Sequence, residues 1–547
     1  MQTIRILVIL LFLSLHFFLV KATDQVYPLC EWIASTNIES IHTEWSCNST
    51  GNAIGNPCSW TGVVCNEEND NNITTLMISN KTLIGTLPVN IGTLGSLTTL
   101  VVNRTNLVGE IPEQIGCLIN LVNLILPDNQ LTHGIPTNIG CLVALEHLDL
   151  KFNSFHGNTI PSELSLLQSL TLLDISNNEM NGTLPCIIAT LYDLEYMNLG
   201  GNRLGWTIPS ELGCLTALQY LNLGENQFTF TCPSTLSSLI VLTQLDIGHN
   251  YLSGALPPTV LGLSNLVVLR AMYNFFTGVL PSTVGFGSSI THFEILHNSI
   301  TGSLPKELFT LTNLIVLQIQ ENKLTDVISF ELGNLTNLEV LDVHSNHFIG
   351  SIPPAIGSLS SLRSTTWYNS RQSGPIPTEL GLLSVLSKID ISHSSLTGVI
   401  PTEVGLMYNL IDFVAEGNAE LSGSIPKEFG QLSKLRKLGV AKCKFSGTLP
   451  TELVNLPVLE KFDISGNYIS GNIPTEFINM TGLIIANFQN NALTGTMIDI
   501  FKNPKIISVN LANNYFSGSI PSSLGTNEQI LSINMNSNYF TGIIPYG

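Results

Sequence analysis

Charge is scarce in this 547-residue chain, and it is mostly of one sign. Only 11% of the residues are charged, and 21 lysines and arginines stand against 40 aspartates and glutamates, which gives a formal net charge of −19. A nucleic-acid-binding face needs a basic patch or stripe. The composition therefore argues against a nucleic-acid partner and fits a soluble extracellular protein.

Motifs that carry catalysis are also missing. The sequence has no G-x-S-x-G turn, no G-x-x-x-x-G-K-[ST] phosphate loop, no H-E-x-x-H and no kinase signature. It also lacks the close C-x-x-C pairs that are typical of a zinc site. We therefore predict that the chain is not an enzyme and uses neither a cofactor nor a metal.

Long apolar runs are absent after the N-terminus. Residues 6–20 are largely apolar, follow Arg5 and end at Val20-Lys21-Ala22, which is the pattern of a signal peptide over residues 1–22. An uncleaved membrane anchor is the alternative, for which the stretch is short. No later segment approaches 18 uninterrupted apolar residues, so we predict no membrane span in this chain. We expect a secreted protein, or one on the extracellular face of the cell surface.

Proline, in contrast, is regular. Eighteen of the 26 prolines recur about every 24 residues, and Ser329 and Ile498 keep the same register without proline. A typical unit runs from Leu172 to Pro185, L-L-D-I-S-N-N-E-M-N-G-T-L-P. A period of this length indicates a solenoid, because each turn can bury its apolar side only against its neighbours. The periodic prolines are Pro88, Pro112, Pro136, Pro161, Pro185, Pro209, Pro233, Pro257, Pro281, Pro305, Pro353, Pro377, Pro401, Pro426, Pro450, Pro474, Pro521 and Pro545.

The repeating unit resembles the leucine-rich repeat, L-x-x-L-x-L-x-x-N-x-L, extended by G-x-[IL]-P. Alternate residues of the L-x-L strand point to opposite faces, so the leucines point inward and the residues between them outward. Fifteen of twenty asparagine slots hold asparagine, whose buried amide can bond its own and the next turn. Thr105, Ser370, Ser394 and Cys443 can partly replace that amide, so Lys81, in the first repeat, is the one real departure.

Four cysteines precede the first repeat. The segment Cys58-Ser-Trp-Thr-Gly-Val-Val-Cys65 resembles the N-terminal cap of plant-type leucine-rich repeat extracellular proteins. That family includes ectodomains of receptor-like kinases and receptor-like proteins, and secreted inhibitors of cell-wall-degrading enzymes. The resemblance favours the pairs Cys58–Cys65 and Cys30–Cys47 among the three pairings that four cysteines permit. It also leads us to expect that Trp60 covers the core of the first repeat.

The same resemblance implies the fold and the domain organisation. We expect an α/β repeat solenoid, a right-handed leucine-rich repeat superhelix with one long parallel β-sheet on its concave face. Residues 24–72 would form the cysteine-containing cap, and residues 73–547 would form twenty repeats of about 24 residues, the last of them incomplete. The incomplete last repeat favours a fragment of a longer gene product over a complete chain with a partner at its open end.

The later cysteines follow no single pattern. Cys117 and Cys141 occupy the same slot of successive turns, which lie about 4.8 Å apart in such a stack, within reach of a disulfide. Two independent thiols are the alternative. Cys186, Cys214 and Cys232 occupy three different slots, so no pairing follows from the register.

The outward strand positions of a solenoid form one extended surface. In most repeats these positions carry Asn, Ser, Gly or Asp, but repeats 9 to 13 carry aromatic residues, His, Arg, Met and Leu. Aromatic residues, Arg and Met are enriched at contact surfaces. We therefore predict a binding site there, with random variation of an exposed face as the alternative. The predicted site residues are Arg270, Met272, Tyr273, His292, Glu294, Leu296, Gln318, His344, Tyr368 and Arg371.

Two further columns of charge run along the predicted strands. Lys388, Lys437 and Lys461 could hold an anionic group, although a solvated charged face is the alternative. Aspartates recur directly after the inward leucine, and we interpret them as ordinary exposed strand residues rather than catalytic groups. They are Asp149, Asp174, Asp246, Asp342, Asp390 and Asp463.

Seven N-x-[ST] sequons predict N-glycosylation in a secreted chain. Four of the seven fall in the cap and the first two repeats, and glycans there would favour a binding surface further along the chain. The predicted acceptors are Asn48, Asn72, Asn80, Asn103, Asn181, Asn334 and Asn479.

Two classes of function remain open from the sequence. The first is an extracellular ligand-recognition protein, a receptor-like ectodomain or a fragment of one in cell-surface signalling, with a protein, peptide or glycan ligand and a co-receptor as further partner. The alternative is a secreted structural, matrix-binding or inhibitor-type protein without a signalling role. The outward column changes character along the chain, from Met77 and Val101 to Asp174, Arg270 and Gln318. That change favours discrete recognition over binding to a uniform surface.

Overall fold

The computed structural model describes residues 26–36, 45–48, 53–66, 72–157, 159–287 and 289–545. The predicted signal peptide, residues 1–22, lies outside the described residues. The chain divides into two compact units, residues 1–252 and residues 253–547. Within the part of the chain that the structure describes, no helix is long and apolar enough to cross a membrane.

The first unit begins with the cap. It contains the helix Val26–Ser35, a 3-10 turn at Pro57–Ser59 and the strand Val63–Cys65, which pairs antiparallel with Ile73–Ser79. Disulfides join Cys30 to Cys47 and Cys58 to Cys65, the pairs expected from the sequence. A cap of this size has little core of its own, so such links are a main source of its stability.

The tryptophans of the cap cover the start of the solenoid. Trp60 is 3% exposed, and its ring stacks on that of Trp45 with centroids 5.4 Å apart. The indole N–H of Trp45 also donates to the carbonyl of Thr61, at 3.1 Å. The expected role of Trp60 as a cover for the first repeat is consistent with this burial.

The repeats of the first unit stack through parallel strands in register. Tyr196, for example, pairs with Tyr220 on the next strand, 24 positions later. Inward leucines such as Leu173 and Leu221 are fully buried. The strands of the long sheet in this unit are Val63–Cys65, Ile73–Ser79, Thr99–Asn103, Asn123–Ile125, His147–Asp149, Leu172–Asp174, Tyr196–Asn198, Tyr220–Asn222 and Gln244–Asp246.

The second unit continues the same repeat. Counted over the described residues of both units, the long sheet has 21 strands, and within each unit its strands pair in parallel except for the first pair in the cap. The strands of the long sheet in this unit are Val268–Arg270, His292–Glu294, Val316–Gln318, Val340–Asp342, Ser364–Thr366, Lys388–Asp390, Asp412–Val414, Lys437–Gly439, Lys461–Asp463, Ile485–Asn487, Ser508–Asn510 and Ser532–Asn534. The predicted repeat solenoid with a long parallel sheet is confirmed.

A second set of short strands follows the asparagine of many repeats. In the first unit these are Val108–Gly109, Gln130–Leu131, Asn181–Thr183, Arg203–Trp206 and Gln227–Thr231, and the unit ends inside Tyr251–Ala255. In the second unit they are Phe275–Thr277, Thr301–Gly302, Lys323–Leu324, Ser373–Pro375, Ser395–Val399, Glu420–Gly423, Lys444–Gly447, Tyr468–Asn472, Ala492–Thr496, Tyr515–Gly518 and Tyr539–Phe540. We call these the side strands.

Each periodic proline from Pro88 to Pro521 stands directly before the helical part of its turn. Pro209, for example, has φ −62° and ψ 131°, and the 3-10 turn starts at the next residue. Proline fits there because the position needs neither an N–H nor a variable φ. The turns are Val89–Thr93, Glu113–Cys117, Thr137–Cys141, Ser162–Leu166, Cys186–Thr190, Ser210–Cys214 and Ser234–Ser238 in the first unit. In the second they are Pro258–Leu261, which is α-helical, and Ser282–Phe286, Lys306–Thr310, Phe330–Asn334, Pro354–Ser358, Thr378–Leu382, Thr402–Leu406, Lys427–Gln431, Thr451–Asn455, Thr475–Asn479, Ile500–Lys502 and Ser522–Thr526.

The buried asparagines link successive turns. Asn202 Nδ2 donates to the carbonyl of Ile175, one turn earlier, at 3.0 Å, and to the carbonyl of Leu199 in its own turn at 3.1 Å. Its Oδ1 accepts from the N–H of Met180, again one turn earlier, at 3.1 Å. The same pattern recurs at Asn226 and elsewhere, and we call this series the asparagine ladder. The predicted role of the slot is confirmed.

The six later cysteines are free thiols in this structure. Cys117, Cys186 and Cys214 are exposed, Cys141 is half-buried, and Cys232 and Cys443 are buried. Of the two alternatives for the Cys117 and Cys141 slots, the structure contains two independent thiols. Burial raises the pKa of Cys232 to about 12, which makes it a poor nucleophile.

Candidate functional site

The aspartate column of the long sheet has a structural role that the sequence analysis missed. Each of the six carboxylates accepts a hydrogen bond from the N–H two residues later, as Asp246 Oδ1 does from Gly248 at 2.9 Å. Asp174 is only 2% exposed and the other five are half-buried, so the interpretation of these residues as ordinary exposed side chains was wrong. An aspartate held in this way closes the backbone turn at the end of its strand.

In the second unit, the outward positions of the long sheet, which we call the sheet face, carry most of the predicted site residues. Arg270 and Glu294 end neighbouring strands, and Arg270 Nε lies 3.4 Å from Glu294 Oε1. The rings of Tyr273 and His297 are 4.7 Å apart, and His297 Nδ1 lies 2.6 Å from Glu321 Oε2. Two predicted residues, Arg270 and Glu294, therefore contact each other, and Tyr273 contacts His297, which is not among the predicted site residues.

The next three repeats bring Gln320, His344 and Tyr368 into one column. The rings of His344 and Tyr368 stack with centroids 4.0 Å apart, and the Tyr368 hydroxyl lies 3.3 Å from His344 Nε2. His344 Nδ1 is 3.0 Å from Ser345 Oγ. A neutral imidazole satisfies both neighbours, because it can donate from Nδ1 and accept at Nε2. We call Gln320, His344 and Tyr368 the central cluster.

Gln320 is the member of the central cluster whose bonding is incomplete. Its side chain is 6% exposed, and its Oε1 is buried without a hydrogen-bond partner among the described residues. A buried acceptor of this kind costs stability unless a partner reaches it. Because the atom is buried, a ligand can supply that partner only if the Gln320 side chain turns toward the sheet face.

Burial and charge set the protonation of the central cluster. Burial lowers the pKa of His344, although the nearby carboxylates of Asp342 and Glu321 oppose this change. Burial also raises the pKa of Asp342, whose Oδ1 lies 3.6 Å from His344 Nε2. Burial raises the pKa of Tyr368 as well. At neutral pH the cluster therefore offers a neutral imidazole, a phenol and an amide to a ligand.

The other predicted site residues lie around these groups, with one exception. Met272, His292, Leu296 and Gln318 are half-buried at outward positions of the long sheet. Arg371, in contrast, follows the ladder slot of Ser370 and precedes the side strand Ser373–Pro375. Arg371 therefore lies away from the sheet face that carries the other predicted residues.

The column of Lys388, Lys437 and Lys461, which we call the basic column, is only partly free to bind an anion. Lys437 and Lys461 pair in register on neighbouring strands, whereas Asp412 lies between Lys388 and Lys437. The surrounding basic residues are already engaged: Arg436 pairs with Glu460, and Lys444 Nζ lies 2.6 Å from Glu420 Oε1. The column stays a prediction for an anionic ligand group.

The sequon asparagines are accessible to different degrees. Asn48, Asn80, Asn181, Asn334 and Asn479 are exposed. Asn72 and Asn103 are half-buried, and Asn103 Oδ1 is buried without a hydrogen-bond partner among the described residues. Glycosylation at these positions stays a prediction. Across the described ranges, no group of three or more His, Cys, Asp or Glu side chains could hold a metal ion.

Comparisons with known proteins identify the class of this chain. A leucine-rich repeat region family matches residues 208–364, and the Leucine Rich Repeat family matches residues 169–191, 193–215, 458–480 and 505–527. A probable inactive leucine-rich repeat receptor-like protein kinase of Arabidopsis thaliana is 34% identical over 97 residues, which cover 17% of this chain and 13% of that protein. The chain thus matches only a small part of the length of its curated relatives. It is a leucine-rich repeat protein.

Solved structures define the class more narrowly. The Arabidopsis receptor kinase HAESA, solved in complex with the peptide hormone IDA and the co-receptor SERK1, is 27% identical with a TM-score of 0.75, and the alignment covers 95% of each chain. A TDR receptor is 28% identical with a TM-score of 0.73, over 85% of this chain and 88% of that one. The chain is therefore of the plant type found in receptor ectodomains, a non-catalytic fold. Its cap disulfides fit the extracellular location of such ectodomains.

Proposed function

We propose that this chain is an extracellular ligand-recognition protein, a receptor-like ectodomain that binds a peptide on the sheet face of its second unit. The central cluster would provide the main contacts, with Arg270, Tyr273 and Glu294 extending the surface toward the earlier repeats. Similar proteins solved with a peptide hormone and a co-receptor support the peptide as ligand and a co-receptor as further partner. A signalling role at the cell surface follows from the same similarity.

The observation that carries this proposal is the Oε1 of Gln320, which is buried without a hydrogen-bond partner in the described part of the chain. The same column holds a second glutamine, Gln489, whose Oε1 accepts a hydrogen bond from Asn510 Nδ2 at 2.8 Å. The two glutamines occupy equivalent positions of their repeats. Of the two, only Gln320 has an Oε1 without a hydrogen-bond partner among the described residues. If the Gln320 side chain turns outward, a peptide backbone N–H is a donor that fits this acceptor, since an extended peptide presents such groups at regular intervals.

The central cluster also has the composition of a binding hot spot. Tyrosine, with its apolar ring and polar hydroxyl, is enriched where binding energy concentrates. The rings of His344 and Tyr368 already stack on each other, so covering them with a ligand would cost little further side-chain freedom. Leu296 and Met272, half-buried on the adjoining repeats, would gain from being covered.

A peptide display library screened against the secreted chain tests this proposal. Peptides that are recovered should bind Gln320→Leu and Tyr368→Ala at least about tenfold more weakly than wild type, because each loss removes a contact worth about 1.4 kcal/mol or more. The matched control, Gln489→Leu, should bind as wild type does. Equal loss in Gln489→Leu, or full binding by both central-cluster variants, would place the ligand elsewhere.

A further inference from the structure

Two exposed histidines of the first unit lie on successive turns, and their rings are neighbours. His133 follows the side strand Gln130–Leu131, and His156 follows Asn153, the ladder asparagine of the next repeat. The N–H of His156 donates to the carbonyl of His133 at 2.8 Å, so the two backbones are hydrogen-bonded. Their imidazole rings are tilted by 32°, with centroids 5.8 Å apart. We call these two residues the histidine pair.

A hydrogen bond at Nδ1 fixes the tautomer of each ring. His156 Nδ1 lies 2.8 Å from the carbonyl oxygen of Ser154, and a carbonyl can only accept, so this nitrogen carries the proton. His133 Nδ1 lies 3.0 Å from Thr132 Oγ1, which donates its own proton to the carbonyl of Gly109 at 3.2 Å and therefore accepts from the ring. In the neutral form of each histidine, the lone pair is therefore on Nε2.

Both Nε2 atoms are available to a ligand. Neither of them has a hydrogen-bond or ion-pair partner within the described part of the chain. A histidine that binds a metal ion through one ring nitrogen usually donates its other N–H to a carbonyl, a carboxylate or water, which orients the ring and sets the tautomer. The two Nδ1 bonds of the histidine pair provide this arrangement before any ion is bound.

The separation of the two rings suits one shared ion. Zinc lies about 2.0–2.1 Å from an imidazole nitrogen, so two imidazoles on one tetrahedral ion have ring centroids about 5 Å apart. The observed 5.8 Å therefore needs only a small movement of two exposed side chains. Glu179, the bridge partner of His156, has its Oε2 2.9 Å from Arg203 Nη2, so this carboxylate is already paired. The histidine pair thus offers two nitrogens, and water would fill the remaining positions around the ion.

We propose that His133 and His156 bind one divalent transition-metal ion, with Cu²⁺ held more tightly than Zn²⁺. Imidazole suits copper and zinc, and nitrogen sites generally favour copper of the two, whereas calcium and magnesium prefer oxygen ligands. The net charge of −19 attracts cations to the chain. Sequence motifs do not reveal this site, because its two ligands stand on different turns. It lies in the first unit, whereas the central cluster lies in the second, so it does not rest on the proposed peptide binding.

Calorimetry of the secreted chain, prepared without an affinity tag, tests this proposal. Its accessible thiols should first be alkylated with iodoacetamide, because the exposed Cys117, Cys186 and Cys214 can also bind these ions. Titration with Cu²⁺ should reveal one tightest site, to which Zn²⁺ binds more weakly and from which Ca²⁺ does not displace Cu²⁺. The electron paramagnetic resonance spectrum with one equivalent of Cu²⁺ should show two imidazole nitrogens. Absence of Cu²⁺ binding, displacement by Ca²⁺, or a spectrum without two imidazole nitrogens would overturn the proposal.

Two variants separate metal binding from folding. His133→Gly and His156→Thr each introduce a residue that fills the same slot in another repeat, as Gly109 and Thr229 do, so both should fold with melting temperatures close to that of wild type. Each should weaken Cu²⁺ binding at least about tenfold, because one imidazole remains, and each should reduce the nitrogens in the spectrum to one. The control His393→Gly makes the same change at another exposed histidine of positive φ, 50°, and should bind as wild type does. Unchanged binding by His133→Gly or His156→Thr, or an equal loss in the control, would also overturn the proposal.

Discussion

Residues 150–250 and residues 365–395 fill the same buried slots with different side chains. In the first region, Asn178, Asn202 and Asn226 each bond the turn before and their own turn. In the second, Ser370 Oγ donates to the carbonyl of its own turn, Trp367, at 2.7 Å, and Ser394 Oγ lies 3.3–3.4 Å from two carbonyls. A hydroxyl has one donor where the amide has two, so the serine turns are held together less completely.

The core of residues 365–395, which we call the serine region, is also more polar than that of residues 150–250. Gln372 occupies a slot that usually holds leucine, and both of its amide atoms are buried without a partner among the described residues. Thr365 takes another leucine slot and accepts a hydrogen bond from the indole N–H of Trp367 at 2.7 Å. Tyr368 of the central cluster belongs to this same turn. The regular turns thus supply stability, and the proposed recognition site borders the less regular turns, with only Tyr368 inside them.

The largest effect should come from the regular region. Asn202→Ala leaves the N–H of Met180 buried without its partner and removes the hydrogen bonds to the carbonyls of Ile175 and Leu199, so we expect a loss of about 3 kcal/mol in the free energy of unfolding. Ser370→Ala removes the bond to the carbonyl of Trp367 and a longer one, 3.4 Å, to Ser394 Oγ, and should cost about 1 kcal/mol. Urea unfolding of the two variants measures the difference, and equal losses would show that the two regions do not differ in this way.

A smaller effect of opposite sign should follow from repairing the serine region. Gln372→Leu removes two unpartnered buried atoms and restores the usual residue, so we expect a gain of about 2 kcal/mol in the free energy of unfolding. The control Gln489→Leu removes an amide whose Oε1 has a partner, and it should give no gain. A loss of stability in Gln372→Leu would mean that bound water satisfies the glutamine.

The smallest effect should depend on pH. Because the pKa of His344 is lowered in the folded state, acidification below the ordinary value of 6.5 protonates this residue first in the unfolded chain. The stability that neutral His344 contributes is therefore present above pH 6.5 and is lost as the pH falls from there to its folded pKa. Asp342, whose pKa is raised, acts in the opposite direction in a more acidic window, above 3.8.

Thermal unfolding of His344→Gln isolates this effect. The melting temperature of wild type should fall relative to that of the variant between pH 7 and pH 5.5, the interval just around and below the ordinary histidine pKa. The control His347→Gln changes an exposed histidine of the same turn and should show no such trend. A constant difference across this interval would contradict the assignment of His344 as a buried neutral group.

Much of the fold could be predicted because the repeat is local and periodic. The prolines indicate where each helical turn begins, and the asparagine slot indicates where turns are joined, since both roles depend on a residue and its neighbours one turn away. The burial of Asp174 could not be predicted in this way. It depends on Lys151 and Tyr196 from neighbouring turns, which cover the carboxylate together with Ser176.

The site could be predicted only in part for the same reason. Residue type pointed to His344 and Tyr368, and the structure stacks their rings. Gln320 and Gln489 occupy the same slot, so their own positions could not show that only Gln489 has a partner for its Oε1. That difference depends on the next repeat, where Asn510 donates to Gln489. Arg371 was included for its charge, but its place after the ladder slot takes it away from the sheet face.

The asparagine ladder also determines how the length of this chain can vary. Asn202 reaches back 27 residues to Ile175 and 22 residues to Met180, whereas Asn178 reaches back 28 and 23 residues. Asn514 reaches back only 26 and 21 residues. Compared with the turn that Asn202 joins, the turn that Asn178 joins is thus one residue longer and the turn that Asn514 joins is one residue shorter. All three asparagines still make the same two kinds of hydrogen bond to the turn before. Whole turns can therefore be duplicated or deleted, and single residues added or removed between rungs, without breaking the stack, so genes for such chains can change the number of their repeats by simple recombination.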